Sequence, residues 1–298
     1  MKKKLLVTGF GGFVAGSVIA QAEDDWDVHA VDRVQIPVNQ SAINYYTLDL
    51  LKKEELTRLF YKINPHVIIH TAAMADIDFC QNNKEIAEKV NVGITKTLTE
   101  LCGTSDSKMI LLSTDTVFDG EKGMYTEKDS PNPLNFYGET KVRAEKLVAS
   151  LKNSVVCRLS LVMGLPVMGS GNSFLAKTIE KLKAGEGVKF PANEIRTPID
   201  VITLGRALLE LAGNDFIGTI HLAGNTRLNR FEMAQQIAET LGYDKNLIIA
   251  TNSNAIEGRA PRPNDASLDN SLAKKILQTP MRSLTEGLEL TMNFKAEK

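Results

Sequence analysis

A short apolar run that stops at glycines, KKLLVTGFGGFVAG (residues 3–16), indicates how this chain is built, because a helical pattern follows at once over 13–22. Gly9 and Gly12, with Ala15 and Gly16 after them, allow a sharp bend and a close approach of the backbone to a pyrophosphate. The free N–H groups and the positive dipole end of the following helix would face that anion. The spacing G-x-x-G-x-x-A departs from the G-x-G-x-x-G dinucleotide fingerprint, so the motif depends on its strand-turn-helix context. A glycine-rich turn without a ligand is the alternative.

An acidic residue supports the dinucleotide interpretation. Asp32 lies 20 residues after Gly12, at the end of a second predicted strand, WDVHAVDR (26–33). Its carboxylate can accept hydrogen bonds from an adenosine ribose and would repel a 2′-phosphate, whereas Arg33 could hold one, so the pair favours NAD over NADP only slightly. Asp49, after the YYTLD run, is placed either for adenine or as the N-cap of the next helix.

The first half of the chain alternates between apolar runs and amphipathic helical patterns. Further strands are predicted at HVIIHTAA (66–73), KMILLST (108–114) and SVVCRLSLVMG (154–164), and helices at 52–63, at roughly 79–102 and from near Phe136. Such alternation is typical of βαβ units and of a parallel sheet covered on both faces. The fold class is therefore predicted as α/β, with a doubly wound parallel Rossmann sheet.

Beyond about residue 165 the alternation loosens. Helical patterns occupy 172–184, 201–213 and 230–241, with short strands near 188–190 and 217–222, and with loops at GLPVMGSGNS (164–173) and EGRAPRPNDASLDNSL (257–272). We expect a dinucleotide-binding Rossmann core over 1–165. A smaller lobe, mainly for substrate binding, is expected over 166–298, with some segments returning to the core.

Composition excludes several classes of function. The chain has 298 residues with a formal net charge of −1, which provides no electrostatic case for nucleic acid as a partner. The apolar run after the first lysines is too short for a signal peptide, and no stretch is long enough to span a membrane. Cys80, Cys102 and Cys157 are unclustered and predict neither a disulfide framework nor a metal site. A cytoplasmic location fits these features best.

Two later motifs carry the chemistry, LLSTDTVFDG (111–120) and NFYGETKVRAEKL (135–147). In the second, Tyr137 precedes Lys141 by one helical turn, a spacing that by itself equally describes a solvated helix face. Together with TGFGGFVA, HTAA and RPNDASLD, these words resemble the extended short-chain dehydrogenase/reductases. Within that superfamily they are similar to the dTDP-4-dehydrorhamnose reductases and their relatives, from residue 4 to about 290.

The resemblance implies that Thr114, Tyr137 and Lys141 are catalytic. A ketone that accepts hydride develops negative charge on its oxygen and needs a positioned acid. A free tyrosine has a pKa of about 10, and a cation at i+4 stabilises its phenolate. Thr114 would hydrogen-bond the substrate oxygen, and Ser113 would take that role if the register differed by one residue. Asn91 is expected to brace the backbone near the active-site strand.

Two sets of contacts follow from the motifs and the resemblance. The cofactor set is Gly9, Phe10, Gly11, Gly12, Phe13, Val14, Asp32, Arg33, Asp49, Leu50, Thr71, Ala72, Ala73, Tyr137 and Lys141. The substrate set is Ala75, Asp76, Thr114, Asp115, Thr116, Arg196 and Arg262. Arg196 and Arg262 are predicted as contacts to a diphosphate, with surface salt bridging as an equal alternative.

The resemblance implies reduction of a 4-keto group on a nucleotide-linked deoxy-sugar, with NAD or NADP as cofactor. An epimerase remains an alternative, as does a non-catalytic NAD(P)-binding module like the regulatory subunit of methionine adenosyltransferase. Dehydration is disfavoured, because Thr116 stands where the dehydratases carry a second acid. Thr116, Leu161 and Met163 also replace aromatic residues that are usual in the reductases, which weakens the case for rhamnose itself. The sequence does not reveal the oligomeric state; dimers through a long helix are common in this superfamily.

Overall fold

A computed structural model of the chain describes residues 2–22, 25–35, 43–168 and 173–294. The strands are β1 (Lys3–Thr8), β2 (Trp26–Asp32), β3 (Ile43–Thr47), β4 (Val67–His70), β5 (Lys108–Thr114), β6 (Ser154–Leu159), β7 (Val162–Met163), β8 (Val188–Pro191), β9 (Ile195–Arg196), β10 (Ile199–Asp200), β11 (Gly218–Leu222), β12 (Leu228–Asn229) and β13 (Ile248–Thr251). The helices are α1 (Phe13–Ala22), α2 (Lys53–Ile63), α3 (Ile77–Asn82), α4 (Lys84–Glu88), α5 (Ile94–Gly103), α6 (Phe136–Val148), α7 (Phe174–Lys183), α8 (Val201–Gly213), α9 (Arg230–Thr240), α10 (Ser271–Ile276) and α11 (Leu284–Asn293).

A seven-stranded sheet forms the centre of the described structure, in the order β11-β6-β5-β4-β1-β2-β3. Every pairing in it is parallel. From β1 the chain winds outward to β2 and β3 and then in the other direction to β4, β5 and β6. The reversal lies between β1 and β4, and ligands of doubly wound sheets bind outside the carboxyl ends of the strands at such a point. The predicted fold class is confirmed.

Helices cover both faces of this sheet, as its apolar strands require. Leu5 and Val7 of β1 point into one core with residues of α1 and α8, whereas Leu6 points into a second core with residues of α2 and α5. Successive side chains of a strand alternate between faces, so a strand buried on both sides has a continuous apolar sequence. β4 and β5 are buried along their whole length for this reason.

The single long helix predicted over 79–102 is wrong. The chain there forms α3, α4, a π-helical turn at Lys89–Gly93 and then α5, with a break at Asn83. The wider turn places the Asn91 side chain inside the protein, where its Oδ1 accepts a hydrogen bond from the Met74 amide at 2.8 Å. π turns inserted in helices are often found at functional sites, and the contact confirms the bracing role expected for Asn91.

Two predicted strands end earlier than expected. The strand predicted over 66–73 stops at His70, because Thr71 and Ala72 bend toward the glycine turn, and the Ala72 amide donates to the Thr8 hydroxyl at 3.3 Å. The strand predicted over 154–164 ends at Leu159, and β7 pairs instead with β10. Both departures occur where the chain leaves the carboxyl edge of the sheet.

The C-terminal part contributes to two regions. α8 packs against α1, and β11 forms one edge of the central sheet, so both belong to the core. α9 packs against the separate pair β8 and β13. The boundary between residues 165 and 166 stays a prediction. Residues 169–172 of the predicted glycine-rich loop lie outside the described residues.

Candidate active site

The glycine turn at the end of β1 is shaped by close backbone contacts. Gly9 has φ +75°, and a Cβ placed on it would lie 2.8 Å from the Cα of Ala72. A Cβ on Gly12 would lie 2.9 Å from the carbonyl oxygen of Gly9. The carboxylate of Asp32 accepts a hydrogen bond from the Gly11 amide at 2.9 Å. A side chain at either position would therefore collide with the backbone, so the turn needs glycine at both.

A cavity of about 570 Å³ opens beside this turn. Ten of the predicted cofactor residues line it, namely Gly9, Gly11, Gly12, Asp32, Arg33, Asp49, Leu50, Thr71, Ala72 and Ala73. Further lining comes from residues that the sequence analysis did not select, Val34, Leu48, Leu51, Met74, Ile86, Val90 and Ile94. These seven residues are all apolar and come from separate segments without a shared motif, so only the folded chain identifies them.

Five members of the predicted cofactor set, Phe10, Phe13, Val14, Tyr137 and Lys141, do not line the cavity. The Phe10 ring is buried in the core, 4.9 Å from the Tyr45 ring. Only its backbone remains available to a ligand. Tyr137 and Lys141 belong to α6, described below.

Asp49 lies on the cavity wall and does not cap α2. Its carboxylate accepts a hydrogen bond from the Leu51 amide at 3.0 Å, and α2 starts only at Lys53. The position before the helix is occupied by Lys52, which makes no side-chain cap. The N-cap alternative for Asp49 is therefore wrong.

A chain of hydrogen bonds joins the glycine turn to the helix that carries the tyrosine. The His70 imidazole contacts the Thr8 hydroxyl at 2.8 Å and the Thr95 hydroxyl at 3.2 Å. Thr95 donates to the Asn91 carbonyl at 2.7 Å. The Asn91 amide in turn donates to the Thr140 hydroxyl at 3.0 Å, and Thr140 lies in α6. Burial, with a smaller contribution from Lys141, lowers the pKa of His70 to about 3, so this imidazole is a neutral link.

The predicted Thr114, Asp115 and Thr116 form a compact polar turn at the end of β5. Thr114 caps a 3-10 turn over Asp115–Val117, with the Thr116 amide donating to its hydroxyl at 3.2 Å. The Thr116 hydroxyl donates to Asp115 at 3.2 Å. A Cβ on Gly138 would lie 2.5 Å from the carbonyl oxygen of Thr116, so α6 approaches this turn closely because residue 138 is glycine.

Tyr137 follows Asn135, whose side chain caps α6 by accepting from the Gly138 amide at 2.9 Å. Burial raises the pKa of Tyr137 above its ordinary value of 10.0, with smaller contributions from Asp115 and Cys80, while a hydrogen bond with Thr114 acts in the opposite direction. From the sequence alone, we expect the neighbouring cation to stabilise the phenolate. In the structure burial dominates, and the phenol is kept protonated.

Lys141 and Glu145 lie one and two turns after Tyr137 on the buried face of α6. Burial lowers the pKa of Lys141 to about 8, and the Glu145 carboxylate acts against that shift. Glu145 is itself held by a two-point ion pair with Arg158, at 2.8 and 3.1 Å, and by the Ser113 hydroxyl at 2.5 Å. Ser113 therefore points to Glu145, and Glu145 and Arg158 are members of the site that the sequence analysis missed. The i+4 spacing of three polar residues was the signal that could have found Glu145.

The predicted substrate residues lie on two sides of this turn. Ala75 is exposed, and the Asp76 carboxylate caps α3 by accepting from the Phe79 amide at 2.9 Å. Arg196 is buried and lies 3.2 Å from Asp115, while Arg262 is buried and makes two hydrogen bonds to Asp78 at 2.9 and 3.0 Å. Both arginines are thus ion-paired, in the interior of the protein instead of on its surface. Met163 lies in a core cluster with Leu175, and Leu161 packs against that cluster.

Neither a metal site nor a membrane span is found among the described residues. Within them no group of three or more His, Cys, Asp or Glu side chains could hold a metal ion. Likewise, none of the helices in the described ranges is long and apolar enough to cross a bilayer. The cytoplasmic location stays a prediction.

The parallel sheet, the glycine turn and the Tyr137–Lys141 helix define an extended short-chain dehydrogenase/reductase. More narrowly, the chain belongs to the RmlD substrate binding domain family, whose model matches residues 3–296.

Solved structures share the whole fold. A dTDP-4-dehydrorhamnose reductase from Bacillus anthracis, crystallised with NADP, is 24% identical with a TM-score of 0.85, and 98% of this chain and 99% of that chain are covered. A hypothetical dTDP-4-dehydrorhamnose reductase from Sulfolobus tokodaii is 32% identical with a TM-score of 0.84, over 96% of this chain and 99% of that one. Among curated proteins, methionine adenosyltransferase 2 subunit beta of Bos taurus is 29% identical, covering 94% of this chain and 85% of its own length.

Proposed function

We propose that the protein is an NAD(P)H-dependent reductase of a 4-keto group on a nucleotide-linked deoxy-sugar. The observation that carries this proposal is the position of Tyr137, which is buried beside Thr114 and Asp115 at the carboxyl end of β5. Carbonyl reduction needs a protonated donor next to the substrate oxygen and a hydride source on the other side.

The cofactor would be held by the glycine turn and Asp32. Gly9 and Gly12 allow a tight backbone turn in which a Cβ would collide with Ala72 or with the Gly9 carbonyl, and the amide groups of such a turn at the start of α1 suit a pyrophosphate. When bound, the nicotinamide supplies the hydride. Asp32 would accept from a ribose hydroxyl and disfavours a 2′-phosphate, but the exposed Arg33 lines the same cavity, so the preference for NAD is slight. The reductase of Bacillus anthracis, which shares this fold, was crystallised with NADP.

In this proposal each residue of the site handles a proton or a charge. Tyr137 donates its phenolic proton to the oxygen that becomes the alcohol, and Thr114 holds that oxygen by a hydrogen bond. Lys141 is charged below pH 8 and stabilises the phenolate left behind, because its pKa is about 8. Glu145 keeps the lysine charged at neutral pH, and Arg158 and Ser113 hold Glu145 in place.

A regulatory, non-catalytic NAD(P)-binding protein is the second candidate. The similarity to methionine adenosyltransferase 2 subunit beta favours it, and so does Thr116, which replaces an aromatic residue usual in the reductases. An epimerase of the same superfamily would use the same tyrosine without net consumption of the reduced cofactor.

Two measurements test the proposal. Fluorescence titration with NADH and NADPH should show binding, and absorbance at 340 nm should fall when a dTDP-4-keto-6-deoxy-sugar is added. Absence of binding of either dinucleotide would refute the dinucleotide assignment altogether. Binding without any oxidation across a panel of nucleotide-linked keto-sugars would favour the regulatory candidate, and isomerisation without net oxidation would favour the epimerase.

A further inference from the structure

A cluster of charged residues lies beside the candidate active site and joins segments far apart in the chain. Its arginines are Arg196, Arg230, Arg259 and Arg262, and its acids are Asp78, Asp115 and Glu194. The arginines exceed the acids by one, so the cluster carries a surplus positive charge. Such an excess in a partly buried place attracts an anion.

Three of the arginines are fixed by hydrogen bonds or burial. Arg262 bonds both oxygens of Asp78 and the Ala260 carbonyl, the latter at 2.5 Å. Arg196 donates to the Ile195 carbonyl at 2.7 Å and to the Pro263 carbonyl at 3.1 Å. These two guanidinium groups hold the 257–265 loop against α3 and β9.

Arg230 is the third fixed arginine. It donates to Glu194 at 3.4 Å, and its guanidinium lies 6.0 Å from the centres of the Phe174 and Phe190 rings. Burial lowers the pKa of Arg230, while Glu194 acts to raise it. This arginine therefore balances the charge of a buried carboxylate.

Arg259 differs from the other three. Its guanidinium lies 3.8 Å from Asp78 and 4.0 Å from Glu194, both too long for hydrogen bonds, and its side chain is 23% exposed. Among the described residues it makes no side-chain hydrogen bond. Asp78 and Glu194 have other arginine partners, so neither carboxylate would be left unpaired if Arg259 turned toward another anion. The guanidinium thus has free donors and little to lose by moving.

The position of Arg259 relative to the reacting groups is also informative. Arg196 connects Asp115, the neighbour of Thr114, with Glu194, and Glu194 lies next to Arg259. Arg259 is therefore connected to the polar turn through three successive ion pairs, Asp115–Arg196, Arg196–Glu194 and Glu194–Arg259. In a nucleotide-linked sugar, the diphosphate is attached to the ring carbon across from the 4-keto group, so a cation displaced from the reacting centre is where the diphosphate needs one.

We infer that Arg259 binds the diphosphate of the substrate, whereas Arg196 and Arg262 hold the surrounding loop in place. The sequence prediction had selected Arg196 and Arg262 for this contact. A guanidinium can bond two phosphate oxygens at once, whereas an ammonium acts as a single charge. The identity of the ligand rests on the proposed function, since another anionic substrate would use the same donors.

The experiment is calorimetric titration of the protein with dTDP, UDP and inorganic pyrophosphate, without turnover. Arg259→Gln should weaken binding of dTDP or UDP by about 10- to 100-fold, and Arg259→Lys should retain part of it. NADH binding, followed by fluorescence, should remain unchanged in Arg259→Gln, which also verifies that the variant is folded. Arg58→Gln, on the exposed face of α2, is the matched control and should bind dTDP like the parent protein.

Equal affinity of the parent protein and Arg259→Gln for all three ligands would overturn the inference, as would a parent protein that binds none of them. Either result is separate from a failure of the proposed reductase activity, because binding is measured without the keto-sugar. A parent protein that binds dTDP through Arg259 but never oxidises NAD(P)H would retain the diphosphate site and reject the reductase.

Discussion

Replacement of Lys141 by methionine should stabilise the protein at neutral pH while removing its activity. Lys141 is buried on α6, and burial lowers its pKa from 10.5 to about 8 despite the opposing effect of Glu145. A buried ammonium that is needed for chemistry is a cost to folding, and methionine has a similar length without the charge.

The sign and size of this change in stability follow from the pKa values of Lys141 in the unfolded and the folded chain. Below pH 8 the lysine is protonated in both the folded and the unfolded chain. Between pH 8 and 10.5 the unfolded chain holds a proton that the folded chain has lost, so stability rises with pH in this range. The difference between a pKa of 10.5 and one of about 8 corresponds to about 3 kcal/mol of unfolding free energy. The folded state is less stable by this amount at pH 7 and regains it by pH 10.5.

Urea unfolding of the parent protein and Lys141→Met at pH 7 and pH 10 measures this effect. The variant should be more stable at pH 7 by up to about 3 kcal/mol, and most of that advantage should be gone at pH 10. The comparison cancels all other titrating groups. Lys96→Met, at an exposed position of α5, should show no such pH dependence. If the stability difference for Lys141→Met is the same at both pH values, the lysine is not desolvated as the structure indicates.

Further predictions concern the same site. Tyr137→Phe should bind NAD(P)H normally but turn over about 100- to 10,000-fold more slowly, and retained turnover would remove Tyr137 from proton transfer. Turnover of the parent protein should decline above pH 8 as Lys141 loses its proton; a flat profile to pH 10 would contradict its pKa. Gly9→Ala should lower the free energy of unfolding by at least about 1–2 kcal/mol and abolish dinucleotide binding, since φ of Gly9 is +75°; normal binding would refute the role of the glycine turn in holding the dinucleotide. Arg158→Met should cost about 3–5 kcal/mol in urea unfolding, and adding Glu145→Gln should restore part of it; additive losses would argue against a coupled pair.

Much of the central fold was predictable because it depends on local periodicity. The apolar runs that became β1, β2 and β5 and the pattern of α8 were placed within a residue or two of their observed ends. Their faces are set by alternation along a strand or by the helical repeat, and both are readable in single segments. β3 and α10 were not predicted, because short elements carry little periodic signal, and α11, although ten residues long, was not predicted either.

The departures occur at tertiary contacts. The helix predicted over 79–102 contains a π-helical turn at Lys89–Gly93, where the Asn91 side chain bonds Met74 and Thr140, which belong to other segments. The strand over 66–73 is shortened because Thr71 and Ala72 must pass beside Gly9. Neither cause is visible in the segment itself.

The order of motifs along the chain was enough to identify the sheet, the glycine turn and the tyrosine with its lysine. Each of these requires particular residue types at fixed short spacing, since a backbone turn or a helix face is a local structure. The ion-pair partners of the charged residues could not be predicted from these motifs. In the structure Asp115 pairs with Arg196, Glu145 with Arg158, and Asp78 with Arg262. Whether an arginine is hydrogen-bonded to a carboxylate or lies 3.8–4.0 Å from its acids, as Arg259 does, depends on which segments the fold brings together. The pKa values of Tyr137 and Lys141 likewise follow from burial, which is a property of the packed protein and not of any stretch of its sequence.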